Sequence, residues 1–337
     1  MNRIVSVLVG RLLSSAIVLV ALSIIVFAFI RAIPGDPVEV MMGTDGGSPE
    51  QAEALRRELG LDRPVHVQYL AWAERALHGD FGQSLLTQEP VLSTVLQRLQ
   101  ATTELALVAI FLGAVIGIVV GTLAAVKRGK LFDAVVMVAT LSGVSLPVFW
   151  AGTMLIVLFS VFLDIFPTGG MLSFDTRISA ITGFPLLDAI LSGNLLAVKD
   201  ILRHMVLPAL TLTLGPAALI ARSTRASVLE VINEDYVNAG LARGLSYRAV
   251  VWRHVMRNAM IPVVTIIGLE INVYLAGSIV TETVFAWPGL GRHMMQAINS
   301  NDYPVVQGVI VVYAALIVFV NLAVDLLYGL VDPRIRS

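Results

Sequence analysis

Leu105-Ala106-Leu107-Val108-Ala109-Ile110-Phe111-Leu112-Gly113-Ala114-Val115-Ile116-Gly117-Ile118-Val119-Val120-Gly121-Thr122-Leu123-Ala124-Ala125-Val126 carries no charged side chain and is bounded by Glu104 on one side and Lys127-Arg128-Gly129-Lys130 on the other. A helix needs about 20 apolar residues to cross roughly 30 Å of hydrocarbon, and this run is long enough. Gly113, Gly117 and Gly121 recur every fourth residue, so they share one helical face where a neighbouring backbone can approach closely. Glycine is common in membrane helices generally. Three in register point further, to helix packing, which is contact rather than chemistry.

Working outward, five more stretches read as spans: residues 12–30, 134–163, 205–221, about 258–281 and 303–324. The first lies between Arg11 and Arg31 and has no small-residue cleavage site, so it reads as a retained anchor rather than a signal peptide. The third is too long for one straight crossing and contains Pro147, which predicts a kink or an interfacial extension. Pro208, Gly215 and Pro216 interrupt the fourth, and Glu270 sits inside the fifth. Composition agrees, since 57% of the 337 residues are hydrophobic and only 14% charged, against roughly 25% in soluble domains. Lipid is the solvent for much of this surface. The net charge of −1 argues against nucleic-acid binding, and zero cysteines remove disulfides and thiolate chemistry.

Basic residues in short loops stay in the cytoplasm. Arg3 and Arg11 therefore place the N-terminus inside, and six crossings bring Lys127-Arg128-Gly129-Lys130, the loop between Arg222 and Arg257, and Arg334/Arg336 to the same side. The opposite side receives residues 34–98, with ten carboxylates against five basic side chains. Ser48-Pro49-Glu50-Gln51 supplies a serine cap, a proline at the first helical position and a glutamine three residues after the cap, for a helix that Gly60 ends. A second apolar-periodic run covers residues 64–77, so a small folded insertion is expected.

No G-x-x-x-x-G-K-[ST] phosphate loop is present, because the one Gly-Lys pair, Gly129-Lys130, is followed by Leu131. The five histidines have no metal-ligand spacing, and neither H-E-x-x-H nor G-x-S-x-G occurs. Glu270, Glu104 and Asp325 are carboxylates in or near spans, which suggests an ion or proton pathway; the structural alternative is water near the span ends and a polar partner for Glu270. In the basic loop, residues 234–242 are expected to form a short helix, Arg243-Gly244-Leu245 a turn, and Ser246 the cap of a second helix running toward Asn258. Such a pair presents a knob to a partner. The alternative is a basic amphipathic loop lying on anionic headgroups.

Motifs separate these readings. Asp235-Tyr236-Val237, Ala242-Arg243-Gly244-Leu245 and Arg253-His254-Val255-Met256-Arg257-Asn258-Ala259-Met260-Ile261-Pro262 resemble the signature loop of peptide importer permeases. Similar matches are Ile33-Pro34-Gly35-Asp36-Pro37, His78-Gly79-Asp80-Phe81-Gly82, Ala124-Ala125-Val126-Lys127-Arg128-Gly129, Thr283-Val284-Phe285-Ala286-Trp287-Pro288-Gly289-Leu290-Gly291 and Asp302-Tyr303-Pro304-Val305-Val306-Gln307-Gly308. The ending, Asp325-Leu326-Leu327-Tyr328-Gly329 with Asp332-Pro333-Arg334-Ile335-Arg336, matches too. The set resembles the B-type permease subunit of bacterial dipeptide and oligopeptide ABC importers. One departure is Asn238-Ala239-Gly240-Leu241-Ala242-Arg243, where relatives carry Arg-Thr-Ala-Arg-Ala-Lys; ionic contacts are not carried over to Asn238 or Leu241.

The resemblance implies an all-α polytopic membrane protein of six transmembrane helices with the type I ABC importer permease fold. It divides the chain into a membrane helix (1–33), an extracytoplasmic insertion (34–98), a permease core of five helices with a coupling loop at 230–258 (99–331), and a cytoplasmic tail (332–337). It also implies a multi-pass inner-membrane protein with both termini in the cytoplasm and a transport subunit without an ATPase site. The implied partners are a second homologous permease, two ATP-binding subunits that use the ATP, an extracytoplasmic peptide-binding protein and the lipid bilayer. The coupling residues it implies are Tyr236, Ala242, Arg243, Gly244, Leu245, His254, Arg257 and Asn258. No cofactor or metal is expected in this chain. The cargo stays open among dipeptides, oligopeptides, glutathione, nickel and haem, and a proton-coupled secondary transporter using Glu270 is the rival reading.

Overall fold

The computed structural model describes residues 2–32, 38, 42, 48–58, 60–275 and 279–331. The motif at 33–37, Gly46 and the 332–337 tail lie outside the described residues, as does the side chain of Asp325. Among the described residues all regular elements are helical, apart from one isolated bridge between Gln83 and Pro90. In chain order they are α1 (Asn2–Ala32), α2 (Pro49–Glu58), α3 (Val65–Leu77), α4 (Val91–Val126), α5 (Leu131–Ser145) and α6 (Val148–Leu155), which continues as a π-helix over Ile156–Phe162. Then come α7 (Pro185–Leu191), α8 (Leu195–Val231), α9 (Asp235–Ala242) and α10 (Tyr247–Val250), which runs through a π-turn at Val251–Val255 into α11 (Met256–Leu275). α12 (Ile279–Val284), α13 (Leu290–Asn299) and α14 (Tyr303–Val331) close the chain.

Among the described residues five helices are long and apolar enough to cross a membrane: Leu13–Arg31 of α1, α4, α8, the Tyr247–Leu275 run and Tyr303–Leu322 of α14. α5 and α6 supply a sixth only as a bent pair, at 107° to one another. Pro147 causes the break, because it has no amide hydrogen to donate and forces Leu146 out of the helical region, to ψ 128. By contrast α8 passes through Pro208 and Pro216 without ending. It begins at Asn194, whose side chain accepts from the amide of Ala197 at 3.1 Å, and its 37 residues exceed the expected 205–221 span at both ends. That extension corrects the loop assignment of Arg222 and Arg225, which lie on α8 rather than in the connector.

The chain divides into two compact units, one made of Met1–Gln100 with Gly289–Ser337 and the other of Ala101–Pro288. In the first, Val26 and Ile30 of α1, Val91 and Val95 of α4, Leu290 and Ala297 of α13, and Val305, Val306 and Val309 of α14 form one buried core. α3 is fastened to the end of α1 by rings and one cation. Phe27 meets Tyr69 edge-on at 5.3 Å, and Arg31 lies 3.4 Å over the Phe27 ring while its Nε donates to Gln68 Oε1 at 2.9 Å. At the start of α2, the Gln51 amide donates to Ser48 Oγ and the Ser48 amide donates to Gln51 Oε1, a reciprocal capping box.

Two motifs far apart in the chain meet in this unit. Asp302 accepts from Ser84 Oγ at 2.5 Å and from the amide of Leu85 at 3.2 Å, across 218 residues of sequence. Ser84 Oγ in turn accepts from the amides of Leu86 and Thr87. Gly308 has no side chain because Val91 occupies the place where its Cβ would stand.

Candidate functional site

The second unit is built on a seam between α4 and α8. A Cβ on Gly113 would stand 2.9 Å from the Cβ of Pro216, and one on Gly117 2.7 Å from the Cβ of Ile220. At Gly121 it would run into the carbonyl oxygen of Ala221. Side chains separate helix axes by 8–10 Å in ordinary packing, and replacing them with hydrogen lets backbones close further. Thr213 Oγ1 donates to the Ala109 carbonyl at 3.1 Å along the same seam, and Leu105, Ala109, Ile201, Met205 and Leu212 fill its interior.

Polar groups close the seam at both ends. Glu104 accepts from the amides of Leu186 and Leu187 at the first turn of α7, with distances of 2.9 to 3.3 Å. The water-at-the-span-end reading of Glu104 is therefore replaced by a specific capping contact. Thr102 Oγ1 donates to the fully buried Glu282 at 2.7 Å, and Trp287 Nε1 donates to the Ala101 carbonyl at 3.0 Å. On α7, Asp188 accepts from the amides of Ile181, Thr182 and Gly183 and from Thr182 Oγ1. Burial pushes that carboxyl up, yet the hydrogen bonds outweigh it and hold Asp188 below the usual carboxylate range. At the far end Arg225 of α8 donates to both oxygens of Asp133 on α5, at 2.6 and 2.8 Å, and Asp133 also accepts from the Gly129 amide.

Beyond α8 the chain leaves this frame for a helix–turn–helix knob. α9 ends where Gly244 takes φ +82, so that the Gly244 amide donates to the Leu241 carbonyl at 2.9 Å and the Leu245 amide to the Gly240 carbonyl at 3.3 Å. A left-handed glycine just past the last helical turn is a common way to stop a helix. Ser246 then caps α10 by accepting from the amide of Ala249 at 3.3 Å. Val237, Val250, Val255, Met256 and Ala259 are buried and pack with Ala125 and Val228, which seats the knob on the ends of α4 and α8, and Val251 is buried as well.

The eight residues named for coupling come together on this knob and all are exposed. Tyr236 and Asn258 are joined directly, with Asn258 Nδ2 donating to the Tyr236 hydroxyl at 2.8 Å. Arg243, Gly244 and Leu245 form the tip beside Ala242, while His254 and Arg257 lie on the ascending π-turn and α11. Sequence reasoning passed over Trp252 and Tyr247, both 46% exposed, and gave Leu241 no positive role although it is 37% exposed. The signal available was the buried valine set, since fixing Val237, Val250, Val251 and Val255 inward leaves these aromatic and aliphatic neighbours outward. Among the described residues no cluster of metal-ligating side chains occurs.

A family model described as "Binding-protein-dependent transport system inner membrane component" matches residues 117–337, and one for the N-terminal part of such membrane components matches residues 4–106. The chain belongs to this family of binding-protein-dependent transport inner-membrane components. It is 47% identical over 320 residues to the dipeptide transport system permease protein DppB of Escherichia coli (strain K12), covering 94% of each chain. It is 48% identical over 315 residues to the di/tripeptide transport system permease protein DppB of Pseudomonas aeruginosa (strain UCBPP-PA14), covering 93% of this chain and 94% of that one. Among solved structures, a chain of the MetNI methionine ABC transporter in an inward-facing conformation aligns with a TM-score of 0.50 at 20% identity, covering 72% of this chain and 99% of that one. The fold is the type I ABC importer permease fold, and the protein is a multi-pass inner-membrane transport subunit. Nothing in the family or its relatives supports the proton-coupled alternative.

Proposed function

We propose that this chain is the permease half of an ATP-driven importer for dipeptides and other short peptides, and that the α9–α10 knob docks on an ATP-hydrolysing partner. The cargo class is supported by the relatives, which are described as dipeptide and di/tripeptide permeases. One observation carries the docking: Leu241, Leu245, Tyr247 and Trp252 are exposed on a small valine core, and Arg243, Arg248, Arg253 and Arg257 are exposed in the same segment. Apolar side chains exposed on a pre-organised scaffold gain by burial against a groove, and the arginines suit an acidic rim.

In this reading the N- and C-termini face the cytoplasm together with the knob. A second homologous permease completes the pathway, two ATPase subunits supply the energy, and a binding protein delivers the peptide from outside. The chain alone neither binds nor hydrolyses ATP, in keeping with the missing phosphate loop. The experiment is reconstitution of the chain with its co-encoded subunits in liposomes. Uptake of alanyl-alanine is expected only with ATP on the knob side and loaded binding protein on the other, and a photo-crosslinker at Leu245 should capture the ATPase subunit. Uptake without ATP, or hydrolysis by the isolated chain, overturns the reading.

A further inference from the structure

Three buried carboxylates on the apolar frame of the second unit have well-defined partners, and a half-buried one in a span differs from them. Asp133 is held by Arg225, Glu104 by the amides of α7, and Glu282 by Thr102. Glu270 is half-buried five residues before the end of α11 and has no hydrogen-bond or ion-pair partner among the described residues. A carboxylate inside a membrane span is costly unless it faces a companion or a watery pathway. Among the described residues no such companion is present.

What surrounds it is nevertheless organised. Tyr274 lies four residues on, so it shares a face of α11 with Glu270. That face turns toward α8, because the Tyr274 hydroxyl occupies the space a Cβ on Gly215 would need, 2.6 Å from it. Pro216 follows immediately, and its missing amide hydrogen leaves the Leu212 carbonyl without its helical donor. The carboxylate and the phenol are two oxygen acceptors on adjoining turns of α11. An ammonium group has three N–H donors and a positive charge to give them.

We propose that Glu270, with Tyr274 one turn away, is the place on the translocation pathway that transiently holds the α-ammonium of a passing peptide. This rests on the peptide-importer reading above and adds a residue to it. The cation offsets the burial of the carboxylate while the peptide is present. A pathway site must bind well enough to admit its cargo and weakly enough to release it.

The test uses the reconstituted complex and alanyl-alanine, whose one cation is its terminal ammonium. Uptake is expected to fall in order of charge, with Glu270→Asp near wild type, Glu270→Gln down by about tenfold and Glu270→Lys lower still, a tenfold change corresponding to about 1.4 kcal/mol. Assembly with the second permease and ATPase activity without peptide should be unchanged in all three. A second measurement is independent of transport: the thiol of a Glu270→Cys variant, alone in a chain with no cysteine, should react with a water-soluble cationic thiol reagent and be protected by peptide. Wild-type uptake by Glu270→Gln overturns the proposal and leaves the importer reading standing, as does a loss confined to lysine-containing peptides or to failed assembly. Uptake that collapses with the proton gradient while ATP persists overturns both.

Discussion

The α4–α8 seam and the α9–α10 knob depend on the same residue type for opposite reasons. At Gly121 a methyl group would meet the carbonyl of Ala221, so glycine is required by what stands outside it. At Gly244 nothing lies within 4 Å of an added Cβ, and glycine is required by the backbone's own φ of +82. The seam is a feature of mutual contact, and losing it disturbs two helices along their length. The knob is a feature of local shape, and losing it changes one surface while the frame beneath is untouched. On the docking proposed above, stability and coupling rest on separable glycines.

Four substitutions break or sharpen that contrast. Gly121→Val should be the most damaging, with a cost above the 1–3 kcal/mol usual for overpacking because the obstacle is backbone rather than a side chain that can rotate. Most folded protein should disappear from membranes, as read by detergent-solubilised size exclusion; normal abundance would disprove the close approach. Asp133→Asn comes next, since it strips Arg225 of its charged partner and loosens α5 from α8. Thermal unfolding in detergent should move down by less than for Gly121→Val, and Asp133→Ala combined with Arg225→Ala should recover part of the loss.

Gly244→Val should add only the 1–2 kcal/mol of left-handed strain, leaving abundance close to wild type. Peptide-stimulated ATP hydrolysis by the assembled complex should nonetheless drop sharply, whereas Gly244→Asn, which tolerates that φ, should retain more of it. Equal activity in the valine and asparagine variants would detach the turn from coupling. The smallest effect belongs to Asn258→Ala, which deletes one exposed hydrogen bond to Tyr236 worth roughly 0.5–1.5 kcal/mol at most. Hydrogen exchange should quicken in α9 with no change in protein yield.

Features set by neighbours in sequence were legible, and those set by distant partners were not. The capping box at Ser48, the break at Pro147, the glycine register on α4 and the turn at Gly244 each follow from residues within one or two helical turns. Glu104 shows the other case: it looks like a solvated span end until the amides of α7, 82 residues away, arrive to cap it. Arg225 read as part of a basic loop because its carboxylate partner lies 92 residues upstream. The length of α8 was underestimated because the apolar run ends at Arg203-His204 on one side and Arg222 on the other, whereas the helix continues past both. Glu270 was visible as an anomaly, but the comparison with its partnered neighbours needed coordinates.

The contact between Ser84 and Asp302 has a consequence for how the protein is made. Synthesis proceeds at about 5–20 residues per second, so some 10–45 s separate the emergence of these two residues from the ribosome. Throughout that interval the early hydroxyl and the amides around it have no carboxylate to meet, and the core shared by α1, α4, α13 and α14 has only its first half. The unit built from both ends of the chain is thus the last to close. A nascent or truncated chain that stops short of Asp302 leaves the Ser84 loop without the carboxylate that completes it.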